Sequence, residues 1–127
     1  MFGGQILFNK DINNRGEIID RYAVNYITSY IPITPSATYT VNITGAKPWT
    51  NIFAYDQSYS YVGGSSVNVN NNTFTLTPGQ YNNAAYVIIF GQRPWDDGYV
   101  GSRATGTVSI TITDDSTGTV IFSAAVN

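Results

Sequence analysis

The sequence predicts an all-β fold, a sandwich or jelly roll of about nine short strands. Three observations predict it. Helix formers are scarce, with two Leu, two Lys, one Met and one Glu in 127 residues. Thr, Val, Ile, Tyr and Phe dominate instead, and these fit a pleated, half-buried surface. Turn-forming residues also punctuate the chain at roughly 8–12-residue spacing.

Each element has its own signal. Residues 5–8 and 27–33 read as strands, and residues 17–20 fit a further short one. Pro32 lacks an amide donor, so its strand belongs at an edge or near its own end. Thr34-Pro35-Ser36-Ala37 is turn chemistry. In residues 38–44, Tyr39, Val41 and Ile43 alternate with Thr40, Asn42 and Thr44. That period of two gives one buried and one wet face. Residues 51–55, 59–62 and 73–77 are further strands, separated by loops at Gly63-Gly64-Ser65-Ser66 and Asn70-Asn71-Asn72. Tyr86-Val87-Ile88-Ile89-Phe90 is continuously apolar, which predicts a central strand covered on both sides. Residues 107–113 alternate through Val108, Ile110 and Ile112. Asp114-Asp115-Ser116-Thr117-Gly118 then closes a hairpin with residues 119–124.

Composition excludes several functions. The length suits one domain, residues 1–127, with a core of its own. There is no cysteine and no histidine, which removes thiol chemistry, the commonest general base and the commonest metal ligand. Only 11% of residues are charged and the net charge is −2. Six scattered basic residues make no phosphate-binding stripe, so nucleic acid is not an expected partner. No apolar run approaches the roughly 18 residues that span a membrane. The N-terminus lacks the pattern of a signal peptide, so the chain is expected to be cytoplasmic at synthesis or else a mature domain given a start Met.

Three runs, read in order, carry a resemblance. They are Leu7-Phe8-Asn9-Lys10; then Ser29-Tyr30-Ile31-Pro32-Ile33-Thr34-Pro35 with Thr38-Tyr39-Thr40-Val41; then Ile52-Phe53-Ala54-Tyr55-Asp56-Gln57-Ser58-Tyr59-Ser60-Tyr61-Val62-Gly63. Thr73-Phe74-Thr75-Leu76-Thr77-Pro78 and Ala84-Ala85-Tyr86-Val87 continue them. This order resembles a jelly-roll module of bacteriophage virion proteins, above all of tail, baseplate and fibre proteins. The resemblance implies a β-sandwich of the galactose-binding or carbohydrate-binding-module kind. It also implies a non-catalytic role on the exterior of the virion, gripping bacterial cell-surface polysaccharide. Some members are structural, so a capsid decoration, head-fibre or baseplate component with other virion proteins as partners is the alternative.

Chain direction points to a site. If residues 85–90 pair antiparallel with 51–55, three segments meet at one end of the sandwich: 21–25, 45–50 and 92–103. Both tryptophans lie in them. A pyranose offers an apolar C–H face to a flat aromatic and a rim of hydroxyls to planar polar groups. Trp49, Trp95 and Tyr99 are the expected stacking platforms. Arg93, Asp96, Asp97 and Asn51 are the expected hydroxyl partners. The competing readings are structural: Trp49 plugs the sandwich end, Trp95 caps the core, and Arg93 staples a loop through Asp96 or Asp97. Tyr22, Asn25, Tyr59 and Tyr61 read as surface or core padding.

No catalytic pair stands out. Glycoside hydrolysis needs two carboxylates about 5–10 Å apart, and the spacing of Glu17, Asp20, Asp56, Asp96 and Asp97 singles out none. Asp56, Asp96, Asp97, Asp114 and Asp115 are calcium-type ligands without the spacing of an ion loop, so a structural calcium ion is left open and no cofactor is predicted. Asn42-Ile43-Thr44 and Asn71-Asn72-Thr73 match a glycosylation acceptor, as chance allows in an Asn- and Thr-rich chain.

Overall fold

The computed structural model describes residues 4–69, 71–94 and 107–126. Among them there is no α-helix. The strands are, in order, β1 (Ile6–Phe8), β2 (Lys10–Ile12), β3 (Ile18–Asp20) and β4 (Asn25–Thr28). Next come β5 (Ile31–Pro32), β6 (Tyr39–Thr44), β7 (Trp49–Tyr55) and β8 (Tyr61–Asn68). The last are β9 (Thr73–Leu76), β10 (Tyr86–Gln92), β11 (Val108–Asp114) and β12 (Val120–Val126).

They form two sheets and a hairpin. The front sheet has the order β1-β4-β10-β7-β8, with β5 also paired to β10. The back sheet has the order β12-β11-β6-β9, and β2 pairs with β3 alone. The sheets share one core. The front sheet gives it Tyr26, Ile31, Ile52, Ala54, Val87 and Ile89, and the back sheet gives it Tyr39, Val41, Ile43, Ile110, Ile112 and Phe122. The fold is therefore a β-sandwich, as its alternating stretches predict. Tyr39, Val41 and Ile43 are buried while Asn42 and Thr44 face water. Removing that apolar surface from water contributes roughly 1.5–3 kcal/mol for each large aliphatic side chain.

The continuously apolar strand is central. Its inward residues Val87 and Ile89 meet the shared core, and its outward residues Ile88 and Phe90 meet a second apolar cluster. That cluster exists because the β2–β3 hairpin lies over the outer side of the front sheet. Ile12 packs there against Ile27, Tyr55, Ile88 and Phe90. The hairpin turn is built by Asn13, whose Oδ1 accepts from Arg15 N at 2.9 Å and Glu17 N at 3.0 Å. Tyr55 Oη donates to Gly16 O at 2.9 Å and pins the turn to the sheet.

The structure differs from the sequence reading in three places. Residues 27–33 are two strands, because Ser29 and Tyr30 break the ladder. Thr28 Oγ1 accepts the Ile89 amide at 3.0 Å where the backbone pairing lapses. Gly63-Gly64-Ser65-Ser66, expected as a loop, is the middle of β8. Gly64 sits opposite Phe53, and a Cβ there would lie 2.6 Å from the Ile52 carbonyl oxygen. Glycine thus serves close cross-strand packing rather than a turn. Strand β2 was not anticipated, because Lys10-Asp11-Ile12 offers only one apolar residue. The turn at 34–37 and the C-terminal hairpin form as expected. Ala37 N donates to Thr34 O at 3.0 Å, and Gly118 N donates to Asp114 O at 2.8 Å.

Candidate functional site

The antiparallel pairing of β10 with β7 runs from Tyr86 opposite Tyr55 to Phe90 opposite Asn51. It brings three segments together at one end of the front sheet. Lys47 N donates to Gln92 O at 2.9 Å, and Arg93 N donates to Val24 O at 2.7 Å. The start of β7, the end of β10 and the entry to β4 are therefore tied across neighbouring strands.

Period-two geometry then selects the outward side chains. On β7 they are Trp49, Asn51, Phe53 and Tyr55, while Thr50, Ile52 and Ala54 are buried toward the back sheet. On β10 the outward pair at this end is Phe90 and Gln92, and on β4 it is Asn25, opposite Gln92. The hairpin covers the lower part of this face and leaves the upper part open. What remains is a groove of about 530 Å³, with Ile12, Trp49, Phe53 and Phe90 as apolar lining and Asn25, Asn51 and Gln92 as polar lining. Asp11, Arg21 and Tyr22 close its hairpin side.

Trp49 does not plug the sandwich. It is 44% exposed, and its ring meets the buried Phe90 ring edge-on. One edge is held by packing while a broad apolar surface stays open. The amides are held in place too. Gln92 Nε2 donates to Asn25 Oδ1 at 3.3 Å, and Asn25 Nδ2 donates to Arg21 O at 3.2 Å. Ser66 Oγ donates to Asn51 Oδ1 at 2.8 Å. An amide carries two donors and a two-lone-pair acceptor, so the partly exposed Asn51 and Gln92 have hydrogen-bonding capacity beyond these contacts, whereas Asn25 is buried and acts as the support of Gln92. The charges of the groove offset one another: Arg21 Nη1 lies 3.5 Å from Asp11 Oδ2. Arg21 also lies over the Tyr22 ring, 5.5 Å from its centroid.

Arg93 has a different setting. Its guanidinium stacks over the Phe8 ring at 3.7 Å, and Arg93 does not line the groove. Burial lowers its pKa from the ordinary guanidinium value. Its Nε is buried without a hydrogen-bond partner among the described residues. Trp95, Asp96, Asp97 and Tyr99 lie outside the described residues. Trp49 and Asn51 are thus the anticipated residues that line the groove. Asp11, Ile12, Phe53 and Phe90 were not anticipated there, and Arg21, Tyr22, Asn25 and Gln92 were expected at this end but not as site residues. The alternation Trp49-x-Asn51-x-Phe53 was a readable signal for part of this set.

Of the aspartates considered as ion ligands, Asp96 and Asp97 lie outside the described residues, and the other three serve local structure. Asp56 Oδ1 accepts from Ser58 N and Ser60 N at 2.9 and 3.0 Å. Asp114 Oδ1 accepts from Ser116 N and Oγ, and Asp115 Oδ1 from Thr40 Oγ1. No group of three or more acidic, His or Cys side chains gathers among the described residues.

Beside the groove, an aromatic cluster continues along the same face. Tyr59 stacks on Tyr86 at 4.5 Å and 15°, and Tyr30 meets both edge-on. A hydrogen bond to Tyr86, with burial second, raises the Tyr59 phenol pKa. Comparison with family models, curated proteins and solved structures finds no match to this chain.

Proposed function

We propose that the chain is a non-catalytic carbohydrate-binding module that recognises bacterial cell-surface polysaccharide from the exterior of a bacteriophage particle. The observation that carries this reading is the half-exposed Trp49 ring beside two fixed amides, Asn51 and Gln92, in one open groove, with the buried Asn25 holding Gln92 from behind. A flat indole takes the C–H face of a pyranose, and amides take paired hydroxyls. The jelly-roll winding of such modules belongs to the same proposal. Trp95, Asp96, Asp97 and Tyr99, the other anticipated sugar contacts, follow Gln92 closely in the chain and belong to the same proposal. Weak single-site affinity becomes useful when a particle repeats the module many times.

The test is retention of the chain on a panel of bacterial cell-wall polysaccharides, beside Trp49→Ala. Retention of the parent and loss in the variant is the expected result. Equal retention of both moves the site elsewhere on the domain. If no glycan is retained, the lectin reading falls.

A virion structural role is the second reading, and the exposed aromatic cluster favours it. Tyr59 is 51% exposed. Such a surface suits a wet contact with another virion protein. Self-association or capture by particle proteins, with no glycan binding, is the outcome that selects it.

A further inference from the structure

The groove does not end at Phe53. A second cleft of about 200 Å³ lies on the same face, lined by Phe53, Tyr61, Gly64, Ser65 and Ser66, and it shares both Asn51 and Phe53 with the first. Together the two form one track that crosses from β7 onto β8. Trp49 stands at one end and Tyr61 at the other, and both are partly exposed, at 44% and 36%. The Tyr61 ring leans on Phe53 at 6.0 Å and on Tyr55 at 5.8 Å, so it is fixed as a platform.

The floor of the second cleft is kept low by composition. Gly64 lies opposite Phe53 and Ser66 opposite Asn51 on the outward face, while Ser65 between them turns inward and bonds Tyr81. A side chain at Gly64 would run into the Ile52 carbonyl and come within 3.0 Å of Tyr61 Oη. Glycine there lets the Tyr61 hydroxyl settle over the β8 backbone, and the short Ser66 side chain beside it leaves the cleft open between Tyr61 and Asn51. Trp49 and Phe53 are four residues apart on one strand, about 13 Å at ~3.3 Å per residue. Tyr61 extends the track further. One pyranose cannot cover that length. The side chains lining the second cleft are all uncharged, and the one acid and one base of the first cleft pair with each other.

We infer that the site is built for an internal run of an uncharged polysaccharide chain, at least three sugars long, laid from Trp49 across Phe53 to Tyr61. This rests on the carbohydrate reading above and adds its length and charge class. An exo-type site for a single terminal sugar needs only the Trp49 end. A track for an internal run needs both ends.

The test uses the whole chain and a ladder of ligands. Cell-wall polysaccharides of Gram-positive bacteria and O-chains of lipopolysaccharide are partially hydrolysed and sized from monosaccharide to octasaccharide. Each fraction is titrated calorimetrically against the parent, Trp49→Ala, Tyr61→Ala and Tyr61→Phe. The expected result is affinity that rises about tenfold or more with length before it levels off. Tyr61→Ala removes that rise and leaves the shortest ligands unaffected. Tyr61→Phe, which keeps the ring, restores it. If a mono- or disaccharide binds as tightly as the octasaccharide, and Tyr61→Ala binds like the parent, the extended track is wrong while the Trp49 site stands. Binding confined to acidic glycans overturns the charge class. If no fraction binds, the carbohydrate reading itself fails, and the track with it.

Discussion

The Trp49 indole meets the Phe90 ring edge-on, with 5.6 Å between centroids and 81° between planes. Phe90 is buried and Trp49 is not. The contact therefore orients the exposed ring more than it builds the core. An edge-on aromatic pair contributes roughly 0.5–1.5 kcal/mol beyond its burial.

Trp49→Ala is accordingly expected to cost little stability, about 1 kcal/mol, and much binding. Stability is read from urea unfolding and binding from glycan retention. A large stability loss with unchanged binding would show that Trp49 is a core residue after all. Trp49→Phe keeps a ring over Phe90 and is expected to retain part of the binding.

Ile88 and Ile89 are both fully buried but point to opposite sides of the front sheet. Each →Ala substitution is expected to cost about 2–5 kcal/mol. Their effects on the groove differ. Ile88 packs in the same cluster as Phe90 and Ile12, the residues that form the groove wall. Ile88→Ala is expected to weaken glycan binding in protein that is still folded, whereas Ile89→Ala is expected to leave it near the parent value. Binding measured well below each variant's unfolding midpoint separates the two.

The strands were legible where the pattern is local. Residues 38–44 and 107–113 alternate so regularly that burial follows residue by residue. Residues 86–90 announce a strand covered on both sides, yet nothing in them says what covers the outer side. That cover is the hairpin at β2 and β3, held by Ile12 and by the Tyr55–Gly16 hydrogen bond. These contacts join residues far apart in the chain, and short polar strands carry little period-two signal. The site was half legible for the same reason. Chain direction placed 21–25, 45–50 and 92–103 at one end, and contacts of Val24, Lys47, Gln92 and Arg93 join the described part of them there. Which face of that end stays open depends on where the hairpin stops. The glycines of β8 misled because Gly-Ser runs are read as loops, whereas here a bare backbone lets β8 lie close to Ile52.

Gly91 and Tyr26 are cross-strand partners, and a Cβ at Gly91 would lie 2.5 Å from Tyr26 Oη and 2.6–2.7 Å from its ring carbons Cζ and Cε2. Tyr26 is fully buried and cannot swing into solvent. Gly91→Ala is expected to destabilise by about 1–3 kcal/mol through overpacking. Tyr26→Phe is not expected to rescue it, because the ring carbons crowd the Cβ as much as the hydroxyl does. Tyr26→Leu opens space at that point, so the double variant is expected to lose less than the sum of the singles. Strict additivity in urea midpoints would sink this account.

Tyr26 and Tyr55 make stability depend on alkaline pH. Burial raises both phenol pKa values above the ordinary range, and the neighbouring Tyr30 and Tyr61 add to the rise at Tyr55. In the unfolded chain these phenols titrate near 10, as free tyrosine does. Below that pH both states hold the proton and the two residues confer no pH dependence. Above it the unfolded chain releases the proton while the folded chain keeps it, so stability falls as pH rises. The slope is about 1.4 kcal/mol per pH unit for each tyrosine so held. Urea unfolding at steps from pH 8 to pH 11 is expected to be flat at first and then to decline above about pH 10. Tyr26→Phe removes one titrating phenol, and its hydroxyl has no hydrogen-bond partner among the described residues. That variant is expected to match or exceed the parent at neutral pH and to decline less steeply in alkali. Tyr55→Phe also flattens the alkaline limb, but it loses the bond to Gly16 and is expected to start about 1 kcal/mol lower. The two variants thus separate burial of a phenol from its hydrogen bond, and equal curves for both would contradict the assignment of Tyr55 as the pin of the hairpin.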